Sequence, residues 1–282
     1  MDIIRTIPEL KRIIGPVRTS GRTIGFVPTM GYLHQGHLSL VKAARSECDF
    51  VVVSIFVNPI QFGVGEDFEQ YPRDLASDAR MCQEEGVNLI FSPSEREMYP
   101  RGFDTRVQVE ELTRGLCGRG RPGHFRGVTT VVTKLFNLVE PDIAYFGQKD
   151  AQQALVLKKM AADLNMNVTL KIMPTVRETD GLAMSSRNAY LSPDERKAAL
   201  VLYKSLKQAE ELIKDGSRNA SKIIDTMKEM ITGEPLAQLE YIEIVDTTNL
   251  EHIDYMEAEV LIALAVKMGQ TRLIDNIIVE VQ

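Results

Sequence analysis

The sequence predicts a doubly wound α/β domain built on a parallel sheet, followed by a smaller α+β domain. Short apolar or β-branched runs recur at residues 23–27, 50–57, 88–91, 142–146 and 168–173. Helical patterns separate several of them, at 38–46, 74–85, 128–139 and 151–164. Strands separated by helices pair in parallel with helices on both faces. After about residue 188 the order changes to helices followed by strands, which is the α+β pattern.

In chain order, the run at 23–27 ends in Pro28-Thr29-Met30-Gly31, a tight turn, and an amphipathic stretch begins at Leu38. The clearest helix is 128–139. Val128, Val131, Val132, Leu135, Phe136 and Val139 recur at three- and four-residue spacing, one face of a 3.6-residue period. Ligands of such sheets bind outside the carboxyl ends of the strands, so Thr29, Asn58 and Gly147 crowd that edge. Ser192-Pro193-Asp194-Glu195 starts a long helix to Lys214, with Ser as N-cap, Pro at N1 and Glu at N3. A second helix is expected at 220–231, then strands at 239–245, 259–266 and 273–281. The domains are placed at 1–187 and 188–282.

Composition narrows the function. A chain of 282 residues, 44% hydrophobic and 26% charged, is ordinary for a globular protein. No apolar run approaches the ~20 residues of a membrane span, and Met1-Asp2-Ile3-Ile4-Arg5 carries no signal-peptide pattern. Three scattered cysteines fit neither a disulfide framework nor a zinc site, so a reducing cytoplasm is expected. The net charge of −6 argues against a general nucleic-acid surface.

Five segments carry more polar and glycine punctuation than packing requires. Residues 28–37 place His34, Gly36 and His37 between a strand and a helix start, where unpaired N–H groups and the helix dipole suit phosphate. They read equally as a turn with two incidental histidines. Residues 56–62 hold Gln61 between Ile60 and Phe62: a solvated turn, or an amide for a small hydroxylated acid. Residues 121–128, with Arg119, Arg121 and Arg126 around His124, are either a mobile loop or a basic loop that meets an anion. In 146–153, Lys149 and Asp150 open a helix; a lysine there opposes the dipole unless an anion is near, and Asp150 also suits an N-cap. Gln153 lies one turn further in. Residues 182–188 are either a polar hinge or a phosphate loop, with Arg187 on a lid that closes over ligand.

Together and in this order, the five segments resemble the pantothenate synthetase (pantoate–β-alanine ligase) family. VPTMGYLHQGH is similar to the H-x-G-H signature shared with class I aminoacyl-tRNA synthetases and related nucleotidyltransferases. LAMSSRN resembles their K-M-S-K-S-type loop, with Ala183 where those relatives often have lysine. The similarity runs to the closing TRLIDNIIVEV. It implies a Rossmann-like N-terminal domain, a C-terminal lid domain, a homodimer, and ligation of (R)-pantoate to β-alanine with ATP and Mg²⁺. AMP and pyrophosphate would be released from a pantoyl adenylate.

Carried over by position, ATP contacts are implied for Met30, Gly31, Tyr32, Leu33, His34, Gln35, Gly36, His37, Gly147, Gln148, Lys149, Asp150, Val176, Met184, Ser185, Ser186 and Arg187. Catalytic roles fall to His37 (the proton donor by resemblance), His34, Lys149 and Arg187. Gln61 and Gln153 resemble the pantoate clamps, and Gln61 also adjoins β-alanine. At the family's acidic pair this chain reads Ser77-Asp78, leaving Asp78 for the metal, directly or through water. The competing readings are another H-x-G-H nucleotidyltransferase and a non-catalytic nucleotide-binding module.

Overall fold

A computed structural model of the chain describes residues 1–281. In chain order it forms β1 (Asp2–Ile4), α1 (Ile7–Thr19), β2 (Ile24–Thr29), α2 (Gln35–Glu47), β3 (Phe50–Ile55), α3 (Leu75–Glu84), β4 (Leu89–Phe91), α4 (Glu95–Met98), α5 (Leu116–Gly120), α6 (His124–Val139), β5 (Ile143–Gly147), α7 (Ala151–Asp163), β6 (Thr169–Met173), α8 (Pro193–Ala198), α9 (Leu200–Lys214), α10 (Ala220–Thr232), β7 (Ala237–Asp246), β8 (Val260–Met268) and β9 (Thr271–Val279). Short 3₁₀ turns occupy Pro59–Gln61, Glu111–Thr113, Gln148–Asp150 and Ser186–Tyr190. Among the described residues, no helix is long and apolar enough to cross a membrane.

The chain divides into two compact units. The first comprises Met1–Glu110, Arg121–Gln148 and Gln153–Pro174. Its six strands pair in parallel in the order β1-β4-β3-β2-β5-β6. Side chains alternate between two apolar layers with the two-residue period of a strand. Phe26, Val52 and Phe146 pack with α1 and α6, whereas Val27, Val51, Val53 and Tyr145 pack with α2 and α3. β2 stands between β3 and β5, so the connections diverge there, and Thr29 and Gly147 end their strands at the edge where such sheets bind ligands.

The sheet and its crossover helices follow the sequence pattern, but two elements at the amino end do not. β1 has three residues, and α1 contains Gly15 and Pro16, which normally mark a break. Thr6 caps α1 by accepting from the Glu9 amide, and Leu10, Ile14 and Val17 bury one stripe.

The second unit comprises Glu111–Gly120, Lys149–Gln152 and Thr175–Gln282. β7, β8 and β9 form an antiparallel sheet backed by α9 and α10, with Leu202, Leu206, Ile223, Met227, Ile262 and Leu264 in the core. The helix expected from Ser192 to Lys214 is divided at Ala199, whose ψ of −19° tightens the turn between α8 and α9. Gln152 binds the two outlying segments together. Its amide donates to the Leu112 and Gly115 carbonyls and accepts from the Cys117 amide, each at 2.9 Å.

In the first unit α6 is the platform for the turn that carries Gln61. It buries Phe125, Val128, Val131, Val132, Leu135, Phe136 and Val139, each worth about 1.5–3 kcal/mol, so its position is fixed by its body. Gly127 lets the Pro59–Gln61 turn lie directly on its surface: a Cβ there would come closer than 3.0 Å to the Ile60 carbonyl and the Gln61 backbone. Gly127→Ala is expected to destabilise the protein by about 1–3 kcal/mol through overpacking and to displace Gln61. Denaturant unfolding checks the first effect; a midpoint equal to wild type contradicts it.

Candidate functional site

The first unit's site begins where β2 ends. Thr29 Oγ1 donates to the Ser54 carbonyl and accepts from the Gly31 amide. Gly31 and Tyr32 then adopt positive φ of 85° and 51°. A Cβ on Gly31 would lie 2.9 Å from Ile55 Cγ2 and 3.0 Å from Asp78 Oδ2, so only glycine fits. Asp78, on α3 and 1% exposed, takes the Tyr32 amide on Oδ2 at 2.9 Å and the Leu33 amide on Oδ1 at 2.7 Å. Burial pushes its pKa up and those two amide bonds oppose the rise. The carboxylate expected to serve a metal thus has both oxygens on the turn, and it does not fit direct ligation of Mg²⁺. Among the described residues, no group of three His, Cys, Asp or Glu side chains could hold a metal.

His34 follows as the N-cap of α2, with extended backbone. Its Nδ1 accepts from the Gly36 amide at 3.1 Å, and His37 Nδ1 accepts from the His34 amide at 3.3 Å. This is a capping box made of imidazoles. The rings are 4.1 Å apart, centre to centre. Because each Nδ1 is an acceptor, each neutral ring carries its proton on Nε2 and is a donor there. Gln35, Gly36 and His37 form the first turn of α2, and Leu33 is buried, so its side chain serves packing.

Gln61, 9% exposed, is held from several sides. Asn58 Nδ2 donates to its Oε1 at 3.0 Å, and its Nε2 donates to Met30 Sδ at 3.1 Å. The structure therefore brings two predicted residues, Met30 and Gln61, into contact. Tyr99 donates to Asn58 Oδ1. On the backbone side, the Gln61 carbonyl lies 2.8 Å from His124 Nδ1, which donates to it. His124 Nε2 then accepts from Arg121, whose guanidinium pairs with Glu66 through two bonds of 2.7 and 2.6 Å. The basic stretch 121–128 is an ordered brace behind Gln61.

The second unit carries Lys149, Asp150, Val176, Met184, Ser185, Ser186 and Arg187, whereas Gln148 belongs to the first. Lys149 lies in the Gln148–Asp150 3₁₀ turn, just before α7 rather than within its first turn, and Asp150 is 3.8 Å from its Nζ. The Lys149 carbonyl accepts from Asn276 Nδ2 at 2.9 Å. Val176 and Met184 are joined by the Met184 amide, which donates to the Val176 carbonyl. Ser185 caps the Ser186–Tyr190 turn by accepting from the Arg187 amide, and Ser186 is buried. Arg177 anchors this region. Its guanidinium grips the buried Asp275 at 2.6 and 2.9 Å, donates to the Gly181 and Asn276 carbonyls, and lies over the Tyr203 ring. Gln153, half-buried on α7, and Gly147, at the end of β5, belong to the first unit. Arg177, Asp275 and Asn276 were not foreseen, although the last two form a polar pair inside an apolar strand, which marks a buried polar task.

The Glu66–Arg121 pair sets a pH dependence. Burial raises the Glu66 pKa, but the bonds and charge of Arg121, aided by the Gly63 amide and His124, outweigh it and hold the carboxyl at about 2 instead of 4.5. A lowered folded-state pKa stabilises above the unfolded value and loses that effect as pH falls through the folded one. The contribution, about 3 kcal/mol, is therefore complete above pH 4.5 and lost towards pH 2. Glu66→Gln should be less stable than wild type at neutral pH, with the gap closing between pH 4.5 and 2. Parallel stability curves, measured by denaturant unfolding, would refute this.

The pantoate-beta-alanine ligase family model matches residues 2–278. Pantothenate synthetase of Heliobacterium modesticaldum is 58% identical over 281 residues, with 100% of both chains covered. The crystal structure of pantothenate synthetase from Thermus thermophilus superimposes with a TM-score of 0.94 at 47% identity, covering 98% of this chain and 99% of that one. Pantoate-beta-alanine ligase from Francisella tularensis, complexed with beta-gamma ATP and beta-alanine, gives 0.82 at 35% identity, covering 98% and 97%. With its parallel sheet, its imidazole-capped helix start and these relatives over nearly its whole length, the chain belongs to the pantoate–β-alanine ligase family.

Proposed function

We propose that this protein joins (R)-pantoate to β-alanine using ATP, through a pantoyl adenylate, with release of AMP and pyrophosphate. The observation that carries the reading is the α2 start: two imidazoles whose Nδ1 atoms are occupied by backbone amides, with the Gln61 amide against Met30 in the same turn system. This arrangement supports reading the turn as a phosphate site beside a site for a small acid.

The chemistry requires such a pairing. A carboxylate is a poor acyl donor because its leaving group would be an oxide. Attack of the pantoate carboxylate on the α-phosphorus forms a mixed anhydride and expels pyrophosphate. The β-alanine amine then attacks the activated carbonyl and expels AMP. No protein nucleophile is needed, and the work of the side chains is to position and to stabilise charge.

We assign His34 and His37 to the ATP phosphates as neutral Nε2–H donors, which favours positioning over proton transfer for His37. Met30, Gly31, Tyr32, Leu33, Gln35, Gly36, Gly147, Gln148, Asp150, Val176 and Met184 are assigned to nucleotide contacts. Lys149, Ser185, Ser186 and Arg187 are assigned to the charge that builds on the α-phosphate and the departing pyrophosphate. Gln61 and Gln153 hold pantoate, and Gln61 also meets β-alanine. Mg²⁺ in this reading is carried by ATP phosphate oxygens and water. A cytoplasmic homodimer belongs to the same proposal, and sedimentation equilibrium tests the dimer.

Pantoate-dependent exchange of pyrophosphate into ATP tests the reading. Exchange is expected with pantoate and not with amino acids or nucleotides; the reverse pattern overturns the assignment. Lys149→Ala should slow single-turnover adenylate formation by about 10²–10³-fold, the usual loss for a donor that acts in the transition state. A near-normal rate would remove Lys149 from that role.

A further inference from the structure

An amide that holds an acid can present either its oxygen or its NH₂ group, and the first unit fixes which end Gln61 offers. A backbone carbonyl only accepts. The Gly127 carbonyl lies 3.1 Å from the Asn58 side chain, so the Asn58 nitrogen must face it. The same nitrogen is 3.0 Å from the near end of the Gln61 amide, which must therefore be oxygen. Asn58 Oδ1 is left to face Tyr99, whose hydroxyl donates to it at 2.7 Å. The Gln61 nitrogen then lies at the far end, 3.1 Å from Met30 Sδ. A thioether is a weak acceptor, so a ligand carboxylate or hydroxyl oxygen would replace it with a gain in bonding.

We propose that Tyr99 is a positioning residue for the acid substrate: its hydroxyl satisfies Asn58 Oδ1 and so steadies the Asn58 amide, turned by the Gly127 carbonyl, that holds Gln61 with NH₂ rather than C=O offered to the ligand. This rests on the assignment of Gln61 to pantoate. Asn58 is 1% exposed, so without the phenol its oxygen would lose this bond where water cannot readily replace it. The Tyr99 ring is seated against Phe56 and Phe103, with centroids 6.1 and 5.0 Å away. Burial raises the phenol's pKa, so it remains an O–H donor across the working pH range. The site is thereby selective for acids that present acceptor oxygens to Gln61, and it disfavours analogues with an N–H donor at that place.

A double-mutant cycle on pantoate affinity tests this, read by titration calorimetry in the presence of a non-hydrolysable ATP analogue. Tyr99→Phe keeps the ring and should weaken pantoate binding about ten-fold, the value of one hydrogen bond, with affinity for the ATP analogue unchanged. In a Gln61→Ala background the same change should matter less than about two-fold, because the amide it orients is gone. Equal losses in both backgrounds overturn the proposal and leave the functional reading standing. A wild-type chain with no pantoate affinity overturns the functional reading and the proposal with it. Should Tyr99→Phe fail to fold, the Gln61 side-chain NH₂ resonances of the wild type decide: a downfield shift on adding pantoate supports the proposal, and an unmoved signal overturns it.

Discussion

The buried Asp78 carboxylate is the interaction on which the turn between β2 and α2, the proposed nucleotide side, depends. Tyr32 sits at φ 51°, a conformation that costs a non-glycine residue roughly 1–3 kcal/mol. Two amide bonds to a carboxylate, each worth about 1.5–3 kcal/mol, work against that strain. The turn can then reverse tightly enough for His34 to arrive as the N-cap of α2. Everything that reads as phosphate binding in the first unit follows from that arrival: the extended backbone of His34, the two occupied Nδ1 atoms and the proton left on each Nε2. In the proposed reading, the carboxylate acts on the ligand site through the backbone.

This explains what the sequence could and could not tell. The strand at 24–29, the glycine turn and the amphipathic α2 were legible, because period and punctuation depend on local preference. Asp78 was legible only as an acidic residue of interest, since its partners lie 46 and 45 residues away. Histidine is not a usual N-cap, so the reciprocal bonding of His34 and His37 had no signature beyond their spacing. α1 was hidden by Gly15 and Pro16, and its existence is decided by the burial of Leu10, Ile14 and Val17 against the sheet. Tertiary packing overrides propensity there.

The adjacent glutamines 152 and 153 show the same limit at finer grain. From sequence, Gln153 is singled out for a ligand and its neighbour Gln152 is not. Gln152 is buried with three hydrogen bonds to backbone groups, which commits it to the second unit's architecture. Gln153 is half-buried and has no such commitment. Lys149 differs by a similar small step: it precedes α7 in a 3₁₀ turn instead of opening the helix. The placement expected from sequence is therefore not kept, and Asp150, 3.8 Å from the Lys149 Nζ, supplies a counter-charge.

The two units differ in the kind of donor they offer, and the difference matters for the reaction proposed. The first unit's donors are neutral: imidazole Nε2–H groups and the Gln61 NH₂. Those proposed for the second unit include the cations Lys149 and Arg187 beside the Ser185 and Ser186 hydroxyls. An acid that must attack phosphorus has to keep electron density on its carboxylate, and a guanidinium or ammonium paired with it would withdraw that density and lower its nucleophilicity. A neutral amide binds the same oxygen with a hydrogen bond worth about 1 kcal/mol and leaves the charge in place. Departing pyrophosphate is the opposite case, because it gains charge as the bond breaks, and a fixed cation stabilises it most when that charge is greatest. Under the proposed assignment, the neutral Gln61 amide suits the attacking acid, and the cations Lys149 and Arg187 suit the departing pyrophosphate.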